Sequence, residues 1–248
     1  MKLVESIFSK LLRGRQVSSG ISNERLQIMA SSIRGGSINI NAPEDYVSPY
    51  IIKESENIRT VQVDVFSELL KNRTLFFDAD VNRDSVVTTM CQLLYMVAVS
   101  KEPITMYIAT PGGDVYYGLA LYDLMEMIKA EGVIINVYCI GLAASMGSIL
   151  MCGGTRGHRY ALKHSRIMIH QPLSGTGAGH HQETDIRILS EETSVLRKEL
   201  QTILAEASGK TYDEVNADCE RDNWLMASQC LPGVYGKFGL IDEIKTKF

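Results

Sequence analysis

Several things are missing from this chain. No apolar run is long enough to cross a bilayer as a helix. The amino terminus has no apolar core of signal-peptide length. The formal net charge over 248 residues is −4, which gives no reason to expect nucleic acid as a partner. The cysteines Cys91, Cys139, Cys152, Cys219 and Cys230 are odd in number and show no C-x-x-C spacing. Three of them sit in apolar runs and read as small core residues, which suits a reducing compartment. The expected location is the cytoplasm, with an organelle matrix as the alternative. Neither a membrane nor a nucleic acid is an expected partner.

The composition that remains, 45% hydrophobic and 22% charged, is that of a globular protein. The length suits one large domain, or a domain with an extension. Residues 1–48 differ from the rest and read as a pro-segment or flexible arm followed by a linker. Leu3, Ile7, Leu11 and Leu12 fall at helical spacing. Basic residues then outnumber acids, and serine and glycine are frequent. An acid-poor, Arg- and Ser-rich amphipathic start also suits a transit peptide, although Glu5 and Glu24 weaken that reading. Pro43 and Pro49 bracket the linker.

From residue 49 onward, strand and helix patterns alternate. Asp64 to Leu70 has helical spacing, and Thr74 to Phe77 is a short β-type run. Arg83 to Val99 carries Val86, Val87, Met90, Leu93, Leu94 and Val97 as one helical stripe. Ile104 to Ala109 reads as a strand ending in Thr110-Pro111-Gly112-Gly113, and the helical pattern returns from Val115 to about Gly132. Val133 to Ile140 is the next strand, Ser145 to Cys152 a buried helix, and Arg166 to His170 another strand. Gly175 to Gly179 is a glycine-rich loop. Thr184 to Ala207 is a long charged helix with Ile188, Val195, Leu196, Leu200, Ile203 and Leu204 on one side. Tyr212 to Asp218 is a last helix, and Gly239 to Ile244 a terminal strand. This alternation predicts an α/β fold with a largely parallel sheet, whose ligand sites lie beyond the carboxyl ends of strands.

Three loops qualify as that site: Thr110–Gly113, Gly141–Ser145 and the one after His170. Ser145, between small residues at a strand-to-helix turn, suits a nucleophile that a substrate backbone must approach; it could equally be a helix cap. His170 ends an apolar strand on the same side, where an imidazole with a pKa of about 6.5 can serve as base. It could also be a strand-end histidine bonded to backbone. His158, His164, His180 and His181 lie in polar loops and read as surface residues. The amides of Gly113 and Met146 could form an oxyanion hole, although Pro111-Gly112-Gly113 is also what a type II turn requires. Asp218, Glu220 and Asp222 all precede the apolar Trp224-Leu225-Met226. Partial burial beside that run favours Asp222 as the acid orienting His170, with Asp218 the alternative.

The pieces Pro111-Gly112-Gly113, Ala144-Ser145-Met146-Gly147, Met168-Ile169-His170-Gln171-Pro172, Thr184-Asp185-Ile186, Glu220-Arg221-Asp222 and Tyr235 to Asp242 occur in one order. Together they resemble the proteolytic subunit of the Clp protease (ClpP, peptidase family S14) from about Pro49 to Ile244. The resemblance implies a ClpP/crotonase-like fold of repeated β-β-α units with a protruding handle of a strand and a long helix. It implies Ser145 as nucleophile, His170 as base and Asp222 as orienting acid, with the amides of Gly113 and Met146 as the oxyanion hole. It also implies an ATP-dependent serine endopeptidase that cuts unfolded polypeptides inside a barrel of two stacked heptameric rings. An AAA+ unfoldase of the ClpX, ClpA or ClpC type would feed the barrel and consume the ATP. No metal or other cofactor is implied for this chain.

The sequence departs from the family pattern at three places. Ala109-Thr110 stands where Asn-Ser is usual, and the handle loop reads Ser174 to His181. Asp114 follows Gly113, where a small or apolar residue is more common; an acid there would oppose an oxyanion unless it points away. Two other function classes fit less of the sequence. A crotonase-like acyl-CoA enzyme would need no serine–histidine pair, and a non-catalytic ring subunit would need no complete triad.

Overall fold

The computed structural model describes residues 50–54, 60–175, 180, 182–233 and 238–247. The amphipathic start, the linker 41–49, residues 176–179 of the glycine-rich loop and His181 lie outside the described residues. The boundary expected at residue 48 falls there too. The chain divides into two compact units, residues 1–68 and 69–248. In the first, β1 (Tyr50–Glu54) pairs antiparallel with β2 (Thr60–Asp64), and α1 (Val65–Lys71) follows across the division. The hairpin was not expected from the sequence.

The second unit is built on a mixed sheet of the α/β class, as the alternating pattern implied. In chain order its elements are β3 (Thr74–Phe77), α2 (Arg83–Val99), β4 (Ile104–Thr110), α3 (Val115–Ala130), β5 (Ile135–Ala144) and α4 (Met146–Cys152). Then follow β6 (Arg159–Leu162), β7 (Arg166–Ile169), α5 (Glu183–Ser208), α6 (Tyr212–Asp218), β8 (Asn223–Met226) and β9 (Glu243–Lys245). Strands β3, β4 and β5 lie side by side in parallel. The long β5 then serves two branches. Its residues Val137 to Cys139 pair with β6, which pairs with β9, and its residues Leu142 to Ala144 pair with β7. β8 returns antiparallel on β7.

Side chains of β4 alternate strictly: Ile104, Met106 and Ile108 are fully buried, with Thr105 and Tyr107 between them half-buried. β5 continues this with Ile135, Val137 and Cys139 in the core. Leu93 and Met96 of α2, Leu121 and Met125 of α3, and Leu150 and Met151 of α4 fill the same cluster. Each such side chain contributes about 1.5–3 kcal/mol by leaving water. The other face of the sheet carries an aromatic ladder, Phe76–Tyr107–Tyr138–Tyr160, with ring centroids 5.0, 5.0 and 4.7 Å apart. The Nζ of Lys245 lies 4.5 Å from the last ring.

Several expectations need correction. β5 does not stop at Ile140; it runs through Gly141 to Ala144 because Leu142 to Ala144 ladder onto β7. The terminal strand is only Glu243–Lys245. β6 and β8 carried no strand signal of their own. In α2, Val86, Leu93 and Met96 face the core, but Val87 and Leu94 face outward beside Tyr95 and Val99. In α5, Leu200 and Leu204 are buried, whereas Ile188 and Val195 are exposed. The 26-residue α5 therefore enters the core only with its last turns. Four cysteines, not three, are buried, and burial pushes each of those thiols up to about 12. They are inert packing residues at neutral pH.

Candidate active site

Strand ends of the sheet converge on one spot. Ser145 sits between β5 and α4 with φ 54° and ψ −121°, a conformation that side-chain-bearing residues rarely adopt. Its backbone N–H donates to Met168 O of β7 at 2.8 Å. Its carbonyl accepts from Ser148 N at 2.9 Å and Ser148 Oγ at 2.7 Å. Ser145 makes no side-chain cap of α4, so its hydroxyl is left for other contacts.

The loop Pro111-Gly112-Gly113 closes over this turn. Gly112 has φ 96°, and a Cβ there would stand 2.6 Å from Ser145 Cβ and 2.7 Å from Ala144 O. Gly113 has φ 149°, and a Cβ there would stand 2.3 Å from Val81 O. Only glycine allows both approaches. Thr110 is fully buried; its hydroxyl donates to Ala79 O at 2.6 Å and accepts from Gly112 N at 3.1 Å. The Ala109-Thr110 departure thus keeps a hydroxyl that holds the loop. Val81 N donates to Gly112 O at 2.8 Å and Asp114 N to Val81 O at 2.7 Å, fixing both flanks of Gly113. Among the described residues, neither the Gly113 N–H nor the Met146 N–H has a protein acceptor. Met146 is the first residue of α4, where an amide has no partner within the helix.

Asp114 is the N-cap of α3, its carboxylate accepting from Tyr117 N at 3.0 Å. Its negative charge is engaged by that helix terminus.

His170 follows β7 and is mostly buried, with 12% of its side chain exposed. Its Nε2 lies 2.8 Å from Ser145 Oγ, and its Nδ1 lies 3.2 Å from Asp222 Oδ1. The structure therefore joins Ser145, His170 and Asp222 in one chain of contacts. The ground for preferring Asp222 does not hold, because 61% of its side chain is exposed. What separates the two aspartates is occupancy: Asp218 is paired with Lys210 Nζ at 2.8 Å. Of the other histidines, His164 and His180 are exposed as expected. His158 is half-buried instead, its Nδ1 2.8 Å from Asn136 Oδ1.

Beside Ser145 lies a cavity of about 280 Å³. Val115, Met146, Ile149, Met168, Leu173, Leu200 and Leu204 give it an apolar lining. Leu200 and Leu204 come from α5, so the long helix helps wall the site. Sequence reasoning missed these lining residues, because only the fold brings α5 to the strand ends. It also missed the residues bracing the loop that carries Asp222. Arg197, Gln171, Asn216 and Glu220 form that brace; Gln171 and Glu220 stand in the quoted sequence pieces without a bracing role, and Arg197 showed only as part of a charged helix face. Among the described residues, no cluster of three or more His, Cys, Asp or Glu could hold a metal ion.

The sequence model of the Clp protease family matches residues 56–248. The chain is 40% identical over 209 residues to the ATP-dependent Clp protease proteolytic subunit of Bacteroides fragilis, covering 84% of this chain and 95% of that protein. The corresponding subunit of Bacteroides thetaiotaomicron is 40% identical over 209 residues, covering 84% of this chain and 90% of its own length. Proteolytic subunit 1 of Salinibacter ruber is 37% identical over 220 residues, covering 88% of this chain and 89% of that protein.

Proposed function

The chain belongs to the Clp protease family, a family of serine peptidases, and on that premise we propose that Ser145, His170 and Asp222 are its catalytic triad. The observation that carries the reading is the contact chain from Ser145 Oγ through the imidazole to Asp222, at 2.8 and 3.2 Å. With Nδ1–H donating to Asp222, Nε2 accepts the Ser145 hydroxyl proton. Oγ then attacks the peptide carbonyl carbon, and the proton passes to Nε2. The Gly113 and Met146 amides donate to the resulting oxyanion; removing one such donor costs about 10²- to 10³-fold in other serine proteases. His170 next gives its proton to the leaving amine as the C–N bond breaks. Water, activated by the same imidazole, releases the acyl group and restores Ser145.

The apolar cavity supports substrates with an apolar side chain beside the scissile bond. The relatives are named as proteolytic subunits of ATP-dependent proteases. By that likeness the substrates are unfolded polypeptides, delivered by an AAA+ unfoldase of the ClpX, ClpA or ClpC type that consumes the ATP. This subunit itself uses no cofactor in the proposed reaction. By the same likeness the chain assembles into two stacked heptameric rings; the outward apolar residues Val87, Leu94, Tyr95 and Val99 on α2 support a contact with another subunit. The five unpaired cysteines support the cytoplasm as the compartment.

The test is covalent labelling with a fluorophosphonate, read by mass at Ser145, alongside hydrolysis of a fluorogenic peptide with an apolar residue at the cut. Ser145→Ala should abolish both while leaving the native mass of the assembly unchanged. Peptide turnover retained by Ser145→Ala would overturn the assignment.

A further inference from the structure

The loop that carries Asp222 is exposed, and so is most of the Asp222 side chain. An exposed carboxylate on a loop does not by itself hold an imidazole in one orientation. Something must fix the loop relative to the end of β7. The backbone supplies two ties: the β7–β8 ladder sets Ile169 opposite Asn223, the residue after the acid, and Gln171 N donates to Cys219 O at 2.7 Å. The Gln171 side chain supplies a third, its Nε2 donating to Glu220 O at 2.8 Å. Gln171 directly follows His170.

The other side-chain bonds joining these segments come from one guanidinium on α5. Arg197 Nη1 donates to Gln171 Oε1 at 2.8 Å. Its Nε and Nη2 donate to Asn216 Oδ1 at 3.1 and 2.8 Å, and Nη2 also donates to Glu220 Oε2 at 2.9 Å. Arg197 thus joins three segments: the residue after the base, helix α6, and the loop two residues before the acid. Its planar fork of donors suits acceptors lying in several directions, which a lysine ammonium on a flexible stem does not reproduce. Only 29% of its side chain is exposed, so these bonds are partly shielded from water and salt.

We propose that Arg197 is a positioning residue of the peptidase, acting through Gln171 and Glu220 to hold His170 and Asp222 in register. This inference rests on the reading of Ser145, His170 and Asp222 as catalytic. Arg197 touches none of the reacting atoms; its effect passes through the His170–Asp222 contact. A misplacement of about 1 Å at a catalytic group can cost about 10²-fold in rate.

The test is a double-substitution cycle in the full-length protein, with kcat and KM read on one fluorogenic peptide. Arg197→Ala and Arg197→Lys should each lower kcat, the alanine change by about 10²-fold, with KM held within about twofold because the cavity lining is untouched. In an Asp222→Asn background, where the contact is already broken, Arg197→Ala should cost less than about threefold more. Native mass and melting temperature accompany each variant. If Arg197→Ala fails to assemble, Arg197→Lys and Glu220→Gln carry the same cycle. Full kcat in the Arg197 variants, or an equal loss with and without Asp222→Asn, overturns the inference. An Asp222→Asn enzyme as active as the unsubstituted one overturns instead the triad on which it rests.

Discussion

Asp218 and Asp222 stand four residues apart, and either could serve the imidazole by residue type and order. Packing separates them. Lys210 Nζ pairs with Asp218 at 2.8 Å and also lies 4.0 Å from the centre of the Phe238 ring, so this carboxylate belongs to the α5–α6 junction. Asp222 is left to face Nδ1 of His170. The same separation could not be read along the chain, because it depends on a lysine eight residues away and a phenylalanine twenty residues on. Asp222→Asn should lower peptide turnover by orders of magnitude; about 10⁴-fold is the loss for the corresponding change in a serine protease of unrelated fold. Asp218→Asn should leave turnover within a few-fold and lower the melting temperature instead. Steady-state hydrolysis and thermal melting of the two variants check both, and the reverse pattern would reassign the acid.

At the scale of elements, the long ones were legible and the short ones were not. Helices α2, α3 and α5 declare themselves by apolar spacing over many turns, and β3 and β4 by β-type runs between turn residues. β6 and β8 have four residues each, and their stability comes from β5, β7 and β9, distant in sequence. β5 was read too short for a related reason: Gly141 resembles punctuation, yet Leu142 to Ala144 gain partners in β7. The start of α3 shows how a local feature can carry a role the sequence reading did not give it. Asp114, beside Gly113, reads as a charge that would oppose an oxyanion unless it points away; its carboxylate caps the helix. Asp114→Ala should cost about 1 kcal/mol of stability by loss of the cap. Asp114→Asn, which still accepts from Tyr117 N, should retain both stability and turnover. Denaturant titration with peptide hydrolysis distinguishes the two outcomes.

Across the second unit as a whole, one buried ion pair ties together segments far apart in the chain. Arg159 of β6 is 4% exposed, and its guanidinium donates to both carboxylate oxygens of Asp242, at 3.0 and 2.7 Å. It also donates to Ala207 O at the end of α5, at 2.9 Å. Asp242 further accepts from Gly157 N and Arg159 N. Burial alone would raise the Asp242 pKa, but the hydrogen bonds and charge of Arg159 outweigh it and hold the carboxyl below its usual range. A depressed folded-state pKa stabilises the fold at pH values above the unfolded value of about 3.9. That contribution is lost as pH falls through the folded value, so acid should weaken the native protein below about pH 4. Asp242→Asn should cost about 3–5 kcal/mol at neutral pH, because it leaves the buried guanidinium without its counter-charge. It should also flatten the acid limb of stability against pH. Denaturant midpoints at fixed protein concentration between pH 3 and 7 would show it; an unchanged acid limb would remove Asp242 as its source.

The sequence by itself determined the α/β class, the helices with long apolar periods, and the small set of residues able to do acyl transfer. Those features depend on residue type and near-neighbour spacing, which the linear order contains. Ser145 stood out on those terms as a residue in a tight strand-to-helix turn, with a helix cap as its other reading. Tertiary structure decided the rest: the two-branched sheet on β5, the engagement of Asp218 and Asp114, and the guanidinium that braces the acid loop. It also decided that the Ser145 side chain does not cap α4, the helix it precedes, but faces His170, whose Nε2 is brought by β7 within 2.8 Å of its hydroxyl. These depend on contacts between residues tens of positions apart, and such contacts exist only once the sheet has brought its strand ends together.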